Sequence, residues 1–261
     1  MFRNKGKVTS YEDVCKAALK DPPPTSSRPV GGRWKGVKHE DLVKAFRTRL
    51  AETAGVRFAM SNDGYDIAFS MTTDPKKLQP PDKGLVSAIA VVASNARRFR
   101  SQAYYGVDVK ETGRGLVLGR LGDGAERSVH YDLEADAEET VRLFRLRQKR
   151  AFVQVQQLKN QKLTDGEMDR LCMAAGRGGL IPWSRVGEVV KEWEDPRYDE
   201  TEPRTAWAAY NCFSLAIAKN PPLSQIGQLE GFYGLLTAEN DPPAAPKPAA
   251  GKKPRPGRET A

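Results

Sequence analysis

Apolar residues first fall into register at His39 to Thr53, where Leu42, Val43, Phe46 and Leu50 share one helical face and Lys44, Arg47, Arg49 and Glu52 lie off it. Gly55 ends that helix. The period then changes to two. VRFAMSNDGYDIAFSMTT alternates in patches around Asn62, Asp63 and Gly64, a strong turn signal between two strands. Beyond the Pro-containing linker DPKKLQPPDKG come three more strand-like runs, GLVSAIAVVAS, QAYYGVDV and RGLVLGRL, the first closed by the turn-like Ser94 and Asn95. Together they predict an antiparallel meander of about five strands.

After Gly124 the period returns to that of a helix. Segments Glu138 to Lys162, Asp165 to Ala175, Arg185 to Trp193 and Arg204 to Lys219 predict about four helices packed on the sheet, with Asp165, after Thr164, in place to cap the second. Helix, strands, then helices is an α+β order, not a doubly wound α/β one. The expected organisation is a basic flexible segment over 1–33, one domain over 34–239 and a disordered Pro/Lys/Arg-rich tail over 240–261. A short helix near Tyr11 to Leu19 is expected within the first segment.

Charge changes the picture more than length does. The 261 residues carry 42 Lys and Arg against 33 Asp and Glu, a net charge of +9, which suits an acidic partner such as nucleic acid as well as a merely solvated basic surface. No run reaches the roughly 18 apolar residues of a membrane span, and MFRNKGKVTSYEDV lacks a secretory signal's apolar core, so a cytoplasmic protein with no membrane partner is expected. Cys15, Cys172 and Cys212 are scattered without a CxxC pair and read as buried structural thiols.

Catalytic signals are thin. His39, ahead of the first helix, reads as a cap or a surface residue, and His130 has carboxylates downstream but no nucleophile motif beside it. Acidic clusters at Glu134, Asp136, Glu138 and Glu139, and from Glu192 to Glu202, have the ligand type that holds a divalent metal in nucleases. The first also sits where a helix begins, and the dipole alone favours carboxylates there. GVDVKETGRGLVLGRLGDG contains neither GxxxxGK[ST] nor GxGxxG, so no nucleotide cofactor or metal is assigned.

The basic residues cluster. Arg97, Arg98, Arg100 and Arg114 lie in the strand region with Tyr104 and Tyr105 between them, and Arg142, Arg145, Lys149 and Arg150 follow on the next helix. Cations that track phosphates beside aromatic rings that stack on unpaired bases are the combination single-strand binders use. The plainer reading is a solvated helix face over the stripe Val141, Phe144, Ala151, Val155 and Leu158, with Tyr104 and Tyr105 packed one on each side of the sheet.

Three stretches in order carry a likeness to a known family. WKGVKHEDLVKAF leads into MSNDGYDIAF, with Trp34, His39, Asp63 and Gly64; SAIAVVASNARRFRSQAYYGVDV follows, with Asn95 and Gly106; and WEDPRYDETEPRTAWAAYNCFSLAIAK contains Arg204, Thr205, Trp207, Tyr210 and Asn211 in an RTxWxxYN-like core. The chain thereby resembles the phage- and plasmid-associated family called domain of unknown function 932. It departs from that family in having Lys110-Glu111-Thr112-Gly113 where a Cys and an Asn are usual. The family's Lys-His-Thr element is represented by Ser128-Val129-His130-Tyr131.

The resemblance implies a mobile-element protein. With the charge pattern, it leads to the expectation of a non-enzymatic, DNA-associated protein that binds single-stranded DNA through a basic, aromatic-containing face. Two alternatives stand beside it: a metal-dependent enzyme acting on nucleic acid or a nucleotide around His130, and a protein-interaction factor with no nucleic-acid contact. Oligomeric state is left open.

Overall fold

The computed structural model describes residues 39–50, 53–60, 66–73, 84–94, 102–110, 114–121, 133–220 and 222–238. Helix α1 (His39–Arg49) opens it, with Glu40 and Asp41 in its first turn and Arg47 and Arg49 in its last, each sign matched to the helix dipole. Leu42, Val43 and Phe46 are buried along one face and Leu50 just beyond its end, as their spacing predicts. Five strands follow: β1 (Thr53–Met60), β2 (Asp66–Thr73), β3 (Leu85–Ser94), β4 (Gln102–Val109) and β5 (Arg114–Arg120). They form a single sheet in sequence order, every neighbouring pair antiparallel.

Register decides which residues share a face. Phe69 lies opposite Val91, Met71 opposite Ile89, Ile89 opposite Tyr105 and Leu85 opposite Val109, which gathers the large apolar side chains on one side. α1 packs there through an edge-to-face contact of Phe46 on Phe69, ring centroids 5.6 Å apart. The other face carries small residues, among them Ala68, Ser70, Ala88 and Ala90.

Five helices complete the α+β architecture: α2 (Leu133–Asn160), α3 (Asp165–Arg177), α4 (Trp183–Glu194), α5 (Ala206–Ala216) and α6 (Pro222–Ala238). α2 starts earlier than Glu138. It buries Ala137, Val141, Phe144, Gln148, Ala151, Val155 and Leu158 at alternating spacings of three and four, the seam that lies on α1 and the sheet. α3 is capped by Thr164 and not by Asp165, through a reciprocal capping box with Glu167.

The last helix is one more than the four predicted after the sheet. α6 holds Gly227, Gly231 and Gly234 behind Pro221 and Pro222, a composition that reads as loop. Pro222 is tolerated at the first helical position, where its missing N–H has no intrahelical partner in any case. Gly231 allows a close approach, since a Cβ there would stand 2.4 Å from the end of the Leu180 side chain, which would have to turn aside. α5 is apolar around its whole circumference, and ten of its eleven residues are buried, which makes it the pillar between α2, α4 and α6.

Candidate nucleic-acid interface

Arg97, Arg98 and Arg100 lie outside the described residues, as do Trp34, Asp63, Gly64, Asn95 and His130. The remaining cations concentrate on α2. From Thr140 to Lys162 the chain has seven Lys or Arg and no Asp or Glu, so the exposed side of the helix past its first two turns is of one sign. Arg142, Arg145, Lys149 and Arg150 are all exposed along it. Arg142 is gripped by Glu139 through two hydrogen bonds of 2.6 and 2.7 Å, a contact that raises the guanidinium pKa. Arg145 donates to the carbonyl of Arg49 at the end of α1, 3.2 Å away. Between these helices lies a groove of about 440 Å³ lined by Arg49, Glu138, Val141, Arg142, Arg145 and Leu146. Arg49 in turn pairs with Glu134, in the acidic first turn of the helix.

The expected aromatic partners are elsewhere. Tyr104 and Tyr105 are 3% and 5% exposed, which removes both rings from a stacking surface. Alternation along β4 sends them to opposite faces of a sheet whose central strands are buried on both sides. Tyr105 donates to Gln154 Oε1 on α2 at 3.1 Å, and a Cβ on Gly119 would stand 2.9 Å from its ring. Tyr104 donates to Gln102, with the Arg120 guanidinium 5.8 Å from its ring centroid; burial pushes its pKa up. Arg120 is held by Glu230 of α6 and is not part of the α2 face. Arg114, at the start of the edge strand β5, is half-buried.

The residues of the RTxWxxYN-like core all have structural work. Arg204 donates to the carbonyl of Trp193, lies 4.7 Å over its ring and stands 3.6 Å from Asp165, while the Trp193 indole N–H donates to the same carboxylate at 2.8 Å. Thr205 caps α5 by accepting from Ala208 N–H. Trp207, 1% exposed, donates to Glu200, and Lys159 reaches both that carboxylate and the Trp207 ring. Tyr210 and Asn211 are fully buried, and Asn211 donates back to the Trp207 carbonyl at 2.9 Å. Leu163 and Ala206 donate to Arg204 and Gln161 at 3.0 and 2.9 Å, stitching the α2–α3 turn to the start of α5.

The other motif residues are also structural. His39 is 5% exposed at the first position of α1, which removes the surface role from the two expected for it, cap or surface residue. Gly106 sits at a register shift between β4 and β5, where a Cβ would fall 1.8 Å from the Leu116 carbonyl oxygen. The acidic residues fan apart as well. Glu192 is buried and accepts from Arg197 and Thr201, closing the loop after α4. Among the described residues no three His, Cys, Asp or Glu gather as a metal would need, and no helix is long and apolar enough to cross a membrane.

Comparison of the chain with family models, curated proteins and solved structures finds no match. The family likeness therefore rests on the motif residues themselves. The signal the sequence reading missed lies on α2: Leu146 and Val153, 64% and 56% exposed, stand among its cations. Both fall off the three-and-four spacing of the buried seam, which is how they could have been found.

Proposed function

We propose that the protein is a non-enzymatic, DNA-associated protein of phage, prophage or plasmid type that holds the phosphate backbone on the outer face of α2. The observation that supports this is the run from Thr140 to Lys162, with seven cations and no carboxylate, whose exposed members Arg142, Arg145, Lys149 and Arg150 lie along one helix. A one-signed face releases condensed counterions when it meets a polyanion, and that release drives binding regardless of base sequence. The mobile-element part of the reading rests on the family likeness, and the phosphate part on the charge.

Fluorescence anisotropy with labelled oligonucleotides across a salt titration tests it. Affinity should fall steeply and linearly in log–log form as salt rises, and Arg145→Ala, Lys149→Ala and Arg150→Ala together should flatten the slope by roughly one unit per lost phosphate contact. Binding that ignores salt, or a triple variant that binds as the parent does, would discard the reading.

A further inference from the structure

Leu146 and Val153 are the two most exposed large apolar side chains among the described residues, and both stand within the cationic stretch. At about 100° and 1.5 Å per residue they lie roughly 20° apart around α2 and about 10 Å apart along it. Lys149 lies between them along the axis. Arg145 and Arg150 flank them on opposite sides, Gln157 continues the same stripe and Gln156 lies on the Lys149 side of it, both glutamines exposed.

We infer that this stripe is a contact surface for the bases of single-stranded DNA, Leu146 and Val153 meeting base faces while Arg145, Lys149 and Arg150 hold the flanking phosphates. The inference rests on the phosphate-binding reading above and specifies which form of DNA the face takes. The surrounding positive charge selects a polyanion over an apolar partner, and it repels a second copy of the same face. Against a duplex backbone the two aliphatic side chains would meet only phosphate and sugar and gain little. Unpaired bases offer apolar faces that can cover them, and the glutamine amides can hydrogen-bond the exposed base edges. With Tyr104 and Tyr105 buried, these are the described side chains on the cationic face with apolar surface to offer.

The test compares Leu146→Ser/Val153→Ser with Lys149→Ala/Arg150→Ala in the full chain, on a single strand and on the duplex of the same sequence. Both aliphatic positions are exposed, so the first variant keeps the fold, which circular dichroism checks. It should lose about tenfold in single-strand affinity with an unchanged salt slope and unchanged duplex binding, because apolar area is lost and no cation is. The second should weaken binding to both forms and flatten the slope.

If Leu146→Ser/Val153→Ser leaves single-strand affinity intact while the cation variant weakens it, the base-contact proposal fails and the phosphate reading survives. A parent chain that prefers the duplex overturns the base-contact proposal too. Absence of salt-dependent binding to either form defeats both and turns the face toward an acidic protein partner.

Discussion

Tyr210 on α5 donates its hydroxyl to the backbone carbonyl of Val117 on β5, with the Leu229 carbonyl of α6 3.1 Å away. One fully buried side chain thus joins the central helix, an edge strand and the last helix. Burial pushes its pKa well up, so it remains a neutral donor. Tyr210→Phe keeps the ring and leaves the two carbonyls without that donor. Its expected cost is about 1–3 kcal/mol, read as a lower urea midpoint at unchanged m-value.

Gly106 is a harsher case. A Cβ at this position meets a backbone oxygen at 1.8 Å, and backbone cannot rotate away as a side-chain end can. Gly106→Ala should cost about 3 kcal/mol, seen as a large fall in melting temperature. Gly115→Ala, with nothing within 4 Å of its Cβ, is the control on the neighbouring strand and should leave the melting temperature near that of the parent.

Period-two and period-3.6 patterns were enough to order the first helix, the antiparallel meander and the long helix α2, while α5, apolar all round, was legible from its apolar length. α6 was not legible: its Gly231 packs against Leu180, about fifty residues earlier, a contact no local pattern contains. The α2 cations were legible as a charge run, yet their pairing was not, since Arg145 meets the end of α1 across the fold. Tyr104 and Tyr105 misled because alternation says that two neighbours point apart, not that both sides of the strand are covered. In the RTxWxxYN-like core, Trp207 and Tyr210 read correctly as buried, whereas the stacking of Arg204 on Trp193 required the turn after α4 to bring them together.

The cap of α3 gives a pH-dependent prediction. Thr164 N–H and hydroxyl both donate to the Glu167 carboxylate at 2.7 Å, and these bonds hold its pKa below the ordinary value. A depressed folded-state pKa means stability that is present above the unfolded value near 4.5 and lost as pH falls through the lower folded value. Glu167→Gln should therefore flatten the acid limb of a stability-versus-pH curve below about pH 4.5. Thr164→Ala, which removes the hydroxyl acceptor for Glu167 N–H, should cost about 1 kcal/mol at pH 7 by denaturant titration.

Two thiols should be inert. Burial pushes Cys172 to about 11 and Cys212 to about 12, leaving almost no thiolate at pH 8. In a Cys15→Ser background, a thiol reagent such as dithionitrobenzoate should read no fast-reacting group in the native protein and two after guanidinium unfolding. A native thiol reacting within seconds would show that one of these helices opens far more often than its packing implies.

Glu139 holds the final lever on the proposed interface. Its carboxylate takes the Nε–Nη2 edge of Arg142, one of the two edges with which that guanidinium can grip a phosphate, and it puts a negative charge beside the start of the cationic stripe. Glu139→Gln removes that charge and weakens the grip while preserving side-chain size. If α2 is the phosphate-binding face, this substitution should strengthen binding to DNA at low salt and steepen the salt dependence by about one unit as Arg142 joins the contacts. The same substitution should matter little to stability, since the pair is exposed. Anisotropy titrations of parent and Glu139→Gln at matched salt concentrations provide the measurement; an unchanged slope would place the DNA contact away from this end of α2.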